Sequence, residues 1–502
     1  VSDRRLTYSF GPLERRGILG PVSAAQAGVL AGVAVAAVAA LDASPSAPAA
    51  LLAVVALALG AGACFAPLGG RTLLDWLPLA SAFALRRMTG RDLHRSPVAE
   101  AGTLAGAVQR GASMPKRRFR ESRGAPPAAL RGVQIASAAY RERPVGVLSE
   151  RSGRRLTAVL ACRVGAFALL DAEAQERRLA RWGLVLSGAA GTAIRRIQWI
   201  ERTAPAQGDE LARWLHAERD PAVPPRGTPM IESYLELISS SARIAQEHEI
   251  LLAIQVDAGR VRDRGEDAAT TALLEQTERV AQGVEAAEVA VLGALSPGQL
   301  ARTLRTAFDP YCRAELTAVE AADRERDGLS EVNAWPLGAR EAWDHYQSDG
   351  AVHATYWIGA WPRIDVSSMF MDSLLGHSSA VRTVAVSFES LATDRSTREI
   401  EAAVTRDRAD RELRARFGQA ETARQRQAAD ATMRREAELA AGHAEVRLSG
   451  FVTVSGRDRE DLRRGCSEVL EHAARARLEL HRLYGQQADA FTFTLPLCRG
   501  LR

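Results

Sequence analysis

The chain has 502 residues, 47% hydrophobic and 25% charged, a composition that excludes wholesale disorder. Lys plus Arg number 65 against 60 Asp plus Glu, a net charge of +5 that is small for this length and does not by itself mark a nucleic-acid binder. The five cysteines (Cys64, Cys162, Cys312, Cys466, Cys498) lie far apart without CxxC or Cys/His metal spacing, so buried, reduced thiols are expected rather than a zinc site or disulfide framework.

In chain order, residues 1–21 form a basic N-terminal segment and residues 22–66 hold two apolar runs, Val22–Leu41 and Ala49–Ala66. At 1.5 Å per residue each reaches about 27–30 Å, enough for a hydrocarbon core of roughly 30 Å. The Asp42–Pro48 connection carries two prolines, which suits a tight loop between antiparallel helices. Arginines flank the pair on its outer sides (Arg4, Arg5, Arg15, Arg16, then Arg71, Arg86, Arg87, Arg91, Arg95), whereas the loop carries only Asp42. The positive-inside rule then places both termini in the cytoplasm and the chain in the cell membrane with two spans. Gly28 and Gly32, with Ala56 and Gly60 in the second run, have the small-residue spacing that lets helices approach. A signal peptide is the first rival reading, but the apolar run exceeds an ordinary h-region and a second run follows at once. Ala-rich helices buried in a soluble protein are the second, and the charge asymmetry argues against them.

Residues 67–131 read as a juxtamembrane segment. Trp76 to Leu85 is apolar, too short to span and bordered by Arg71, Arg86 and Arg87, as an interfacial helix would be. A basic run follows, with Arg110, Lys116, Arg117, Arg118, Arg120 and Arg123 ahead of Arg131 and Glu121 as the only acid. Anionic lipid is its leading partner. DNA is the sharper alternative, but Phe119 is the only aromatic there, a poor platform for stacking on single strands.

From Gly132 strand and helix patterns alternate, and two α/β domains are expected, 132–330 and 331–502. The strands expected are Val133–Ala136, Val145–Leu148, Leu156–Leu170, Ile194–Glu201, Ile250–Val256, Thr355–Trp361, Ala380–Phe388, Val446–Val454 and Phe491–Leu495. Helices are expected from Asp171 to about Gly188, over Met230–Glu247, Thr270–Ala290 and Met369–Leu375, and over Arg457–Arg475. Ser296-Pro297 begins another, reaching Phe308, with Ser as N-cap and Pro at the first helical position. Glu399–Ala441 is densely charged and proline-free, a pair of helical arms divided at Gly418. The fold class expected is therefore α+β: a two-helix transmembrane hairpin, then ferredoxin-like, split βαβ domains with a long charged helical pair.

Chemistry is conspicuous by its absence. A P-loop needs GxxxxGK[ST], and Lys116, the sole lysine, follows Ser113-Met114-Pro115, so no Walker A motif can be written. GxGxxG, HExxH and GxSxG are also missing. His345 and His353 flank an acidic stretch but lack a cysteine partner and read as surface or core-edge histidines. Trp357 and Trp361 stand an even number apart, on one strand face in the core. No enzyme activity and no cofactor are expected.

The C-terminal third adds a resemblance. Thr383-Val384-Ala385-Val386-Ser387-Phe388-Glu389, the charged helical pair, Gly450-Phe451-Val452-Thr453-Val454-Ser455, Gln486-Gln487-Ala488-Asp489-Ala490-Phe491 and Leu495-Pro496-Leu497-Cys498-Arg499-Gly500 follow one another. This order resembles the N-terminal, non-motor half of the conjugative type IV secretion ATPases of the TraC/TrbE class, and the hairpin resembles the PrgI-like membrane subunit that accompanies them. Together they look like an actinobacterial conjugation-associated family. The resemblance implies a scaffold that recruits a separate P-loop ATPase, with Gln487, Phe491, Phe493, Leu495 and Leu497 at the motor junction. It further implies contacts with other membrane secretion subunits and, through the arms at 399–441, with further copies of the chain. A type VII secretion membrane component of the EccE kind, also two spans followed by a cytoplasmic α/β domain, is the alternative.

Overall fold

The computed structural model describes residues 24–501 apart from 45, 69–70, 97–124, 142, 166, 206–228, 245, 262, 264, 266, 314–315, 317–333, 363, 377, 392, 417–422 and 442–443. Arg110, Lys116, Arg117, Arg118, Arg120 and Arg123, the 1–21 segment, the 330/331 boundary and Gly418 all lie outside the described residues.

Helices α1 (Ala24–Ala43) and α2 (Ala47–Phe65) form an antiparallel hairpin, both long and apolar enough to cross a membrane. Ser46 starts α2, its hydroxyl accepting from the Ala49 N–H. Near the other end of the hairpin the Gln26 amide donates to the Cys64 carbonyl at 2.7 Å. Gly60 is where the helices come close: a Cβ there would stand 3.3 Å from Val33 Cγ2. Gly28 and Gly32 have nothing within 4 Å, so the GxxxG of α1 is not used in this contact.

Strands β1 (Pro67–Leu68) and β2 (Arg71–Thr72) then turn the chain back on itself, Pro67 opposite Thr72. Helix α3 (Leu73–Met88) starts at once, through a capping box in which the Thr72 hydroxyl and the Asp75 carboxylate accept from each other's backbone N–H. β3 (Leu93–Arg95) follows.

Among the described residues the body is one antiparallel sheet of thirteen strands, in the order β3-β10-β11-β12-β14-β13-β7-β8-β6-β5-β4 with β9 beside β6 and β15 beside β12. Its chain order is β4 (Gln134–Tyr140), β5 (Arg143–Glu150), β6 (Arg155–Arg163), α4 (Ala172–Gly188), β7 (Ile194–Pro205), α5 (Pro229–Ile244), β8 (Gln246–Asp257), α6 (Ala268–Ala286), β9 (Ala290–Ala294) and α7 (Pro297–Phe308). It continues through β10 (Gly338–Glu341), β11 (Tyr346–Ser348), β12 (Ala351–Ala360), α8 (Asp372–Leu375), β13 (Val381–Ser390), α9 (Thr393–Arg416), α10 (Ala423–Ala440), β14 (Val446–Gly456), α11 (Arg459–Arg475), β15 (Glu479–Arg482) and α12 (Gln487–Phe491).

Two units of the same plan are visible in that list. β6-α4-β7-β8-α6-β9 lies in the sheet as β9-β6-β8-β7, and β12-α8-β13-β14-α11-β15 as β15-β12-β14-β13. Each is a split βαβ, ferredoxin-like arrangement. The units join in one sheet because β7 pairs antiparallel with β13, from Arg382 opposite Thr203 to Glu389 opposite Arg196. The helical insertions sit at corresponding points, α5 between β7 and β8, α9 and α10 between β13 and β14.

Alternation along the strands sorts side chains to two faces. Leu160, Ile197, Leu252 and Ile254 pack under α4 and α6, and Tyr356, Val384, Val452 and Val454 under α11, with Trp199 touching both clusters. The opposite face gathers Val159, Ile200, Leu251, Ala253 and Ala385 beneath α7 and the C-terminal segment. α7 is capped as expected, Ser296 and Gln299 closing a capping box with Pro297 at its start.

Four differences from the sequence reading have local causes. The strand placed at Leu156–Leu170 ends at Arg163, and a 3-10 turn takes Phe167–Leu169. β9, β10, β11 and β15 are strands of three to five residues, too short for a period-two pattern to register. Phe491–Leu495 is no strand: Gln487–Phe491 is a helical turn and Thr492–Thr494 a 3-10 turn. Trp357 and Trp361 part company because the β12–β15 register slips between Ile358 and Ala360, sending Trp357 to the cluster around Phe451 and Trp361 to the one under α11.

Candidate functional site

The contact between α3 and the body is a built polar and aromatic cluster. On α3, residues at spacings of three and four (Trp76, Leu79, Phe83, Arg86) are half-buried and face the body. Trp76 lies 5.8 Å from the Trp343 ring and 5.9 Å from Tyr484, and Phe83 meets Trp343 edge-on at 5.2 Å. Arg86 closes the contact: its Nε donates to Glu341 Oε2 at 2.9 Å, and its Nη2 donates to the Gly485 carbonyl. Glu341 is buried, and burial outweighs the facing Arg86 in lifting its carboxyl above the usual range. The same carboxylate accepts from the Ala488 N–H at 3.1 Å, at the start of α12. One acid therefore ties α3 to the C-terminal segment.

Gly485 is the residue that allows it. Its φ of +64 to +84 type is shared by several turn glycines, here +68, and its N–H donates to the Trp343 carbonyl at 2.7 Å. A Cβ at Gly485 would stand 2.6 Å from Trp343 Cζ3.

The C-terminal residues singled out from the sequence are brought together, but against the body's own sheet. Gln487, Phe491, Leu495 and Leu497 are buried and Phe493 is half-buried. Phe491 stacks within 5.1 Å of Phe308, 5.3 Å of Tyr346 and 4.7 Å of His353. Because this segment lacks ladder hydrogen bonds, buried side-chain amides supply partners to its backbone and to the loop before it. Gln198 donates to the Phe493 carbonyl and accepts from the Cys498 N–H, both at 2.7 Å. Gln255 donates to the Leu497 carbonyl at 2.9 Å. Gln487 accepts from the Thr355 N–H at 2.9 Å and donates to the Leu483 carbonyl at 2.8 Å. The segment is thus seated on the sheet by its own side chains, and all of residues 491–498 except half-buried Phe493 are buried.

His345 and His353 serve separate structural roles. His353 is fully buried, its Nδ1 at 2.8 Å from the Ser455 hydroxyl and its Nε2 at 2.9 Å from the Phe308 carbonyl, and burial pushes its pKa down to about 4. His345 pairs with Asp344 at 2.7 Å. Among the described residues no group of three His, Cys, Asp or Glu could hold a metal. None of the five cysteines is in a disulfide, and all are buried. A small polar cavity of about 20 Å³ between Arg202, Thr303, Thr453 and Thr494 has room for one water.

Residues 245–358 match the family model described as "Putative type VII ESX secretion system translocon, EccE". That stretch runs from β8 through α6, β9, α7, β10 and β11 into β12, and so bridges the two units of the sheet. It covers less than a quarter of the chain. No curated protein matches. The match supports a membrane-associated secretion-system component, favouring the type VII alternative over the conjugative ATPase-half resemblance.

Proposed function

We propose that this protein is a membrane-anchored structural subunit of a type VII-like secretion apparatus. The observation that carries the reading is the family match across the seam between the two units, in a chain that also holds two adjacent helices long and apolar enough to span a bilayer. The hairpin holds the α+β body at the inner face of the cell membrane, both termini cytoplasmic, where it joins other membrane subunits. The body performs no chemistry of its own; a separate P-loop motor supplies the energy.

Two measurements test this. A pull-down of detergent-solubilised protein from the native host should recover type VII membrane components, and recovery of a conjugative motor with its membrane partners would reverse the choice. A cysteine at Ser44 should react with an impermeant thiol reagent in intact cells, whereas one near the C-terminus should not; the opposite labelling overturns the topology.

A further inference from the structure

The side of α3 turned away from the body has an unusual make-up. Leu73, Leu77, Ala80, Ala84 and Met88 recur at helical spacing and are all exposed, Leu77 at 62% and Met88 at 85%, with Leu85 beside them at 61%. A surface helix pinned to a body along one stripe ordinarily turns polar residues outward. Here the docked stripe (Trp76, Leu79, Phe83) and the free stripe are both apolar.

We infer that the free stripe of α3 lies in the inner surface of the bilayer, making the helix a two-sided strap with lipid on one side and the second unit of the body on the other. This rests on the membrane-anchored reading. Chain continuity identifies the occupant. α2 ends at Phe65, and β1 and β2 bring Pro67 directly opposite Thr72, which puts the first residue of α3 close to the end of the span. The helix is about 24 Å long at 1.5 Å per residue, and its free stripe runs from Leu73 to Met88 without a break, so lipid contact along all of it requires the helix to lie flat. Exposed Arg87, Arg91 and Arg95 stand along and just beyond the stripe's far end, the charge that anionic headgroups attract. A flat α3 fixes the body's attitude, because Trp343, Tyr484 and Glu341 hold it on the docked side.

The full chain reconstituted in phosphatidylcholine–phosphatidylglycerol vesicles tests this with an environment-sensitive fluorophore on single introduced cysteines, the native thiols being buried. Probes at Leu77→Cys and Ala84→Cys should be quenched several-fold more strongly by shallow spin-labelled lipid than one at Ala82→Cys, which lies between the two stripes. Water-like emission at Leu77→Cys and Ala84→Cys overturns the proposal. So does blue-shifted emission without lipid quenching, which means that protein covers the stripe. A probe at Leu57→Cys within α2 reads the anchor separately: if it too escapes quenching by deeper spin-labelled lipid, the membrane-anchored reading fails first.

Discussion

The two units of the sheet share strand order and differ in what has been hung on them. Corresponding positions make this concrete. In the first unit Thr157 faces Gln255 across β6 and β8, and in the second His353 faces Ser455 across β12 and β14, both pairs on the face covered by α7 and the C-terminal segment. One pair cannot titrate; the other holds a buried imidazole. Likewise α7 follows β9 and α12 follows β15, and Phe308 and Phe491 from these two helices meet at 5.1 Å. Only the second unit, however, receives α3 and carries the long charged arms. A common scaffold leaves the specialised work to attachments, and the attachments are where the units can be told apart experimentally.

The largest effect should come from the place where the units depend on each other. Phe308→Ala or Phe491→Ala removes a fully buried ring, a loss of about 3–5 kcal/mol each. The double variant should cost less than the sum, because the rings touch. Strict additivity in denaturant melts would mean that the two helices are seated independently.

Acid should separate the units next. His353 is neutral when folded, with its pKa depressed to about 4 from 6.5. The stability it confers is therefore complete above about pH 6.5 and is lost as pH falls toward 4, by up to about 3 kcal/mol at 1.36 kcal/mol per pH unit. His353→Gln should flatten the stability profile over that window, and an unchanged slope would locate the acid sensitivity elsewhere.

At the junction, Gly485→Ala forces a Cβ into Trp343 at a positive φ, a strain of about 1–3 kcal/mol. It should loosen α3 more than it lowers the melting temperature, read as faster proteolysis after Arg86 and Arg87. Equal proteolysis of variant and parent would show that α3 holds without Gly485.

The smallest effect is expected from the arms. Ser390 lies opposite Val446, so a two-residue turn could replace residues 391–445. Ile400 and Ala403 are buried near the base of α9, and their loss should limit the cost to about 1–3 kcal/mol. Global unfolding would show that the arms belong to the core of the second unit.

How much of this was legible beforehand follows from range of interaction. Ser296-Pro297, Asp171 ahead of α4, and the apolar hairpin announce themselves through local chemistry, and each appears where it was read. Phe491-Thr492-Phe493-Thr494-Leu495 has a strand's alternation but folds as turns, with Gln198 and Gln255 reaching from distant strands β7 and β8 to the Phe493 and Leu497 carbonyls in place of a ladder. The Trp76–Trp343 and Arg86–Glu341 contacts join residues so far apart in the chain that neither partner signals the other. That is why the junction is not legible in the sequence although each of its residues stands there.

The β7–β13 seam has a mechanical consequence. The strands run antiparallel, so the chain leaves β7 at Pro205 toward one edge of the seam and leaves β13 at Ser390 toward the other. Tension applied through the two insertions in opposite directions loads the intervening hydrogen bonds together, in shear, rather than peeling them one by one. The joint between the units is thus strongest along the line on which partners gripping both insertions would tug.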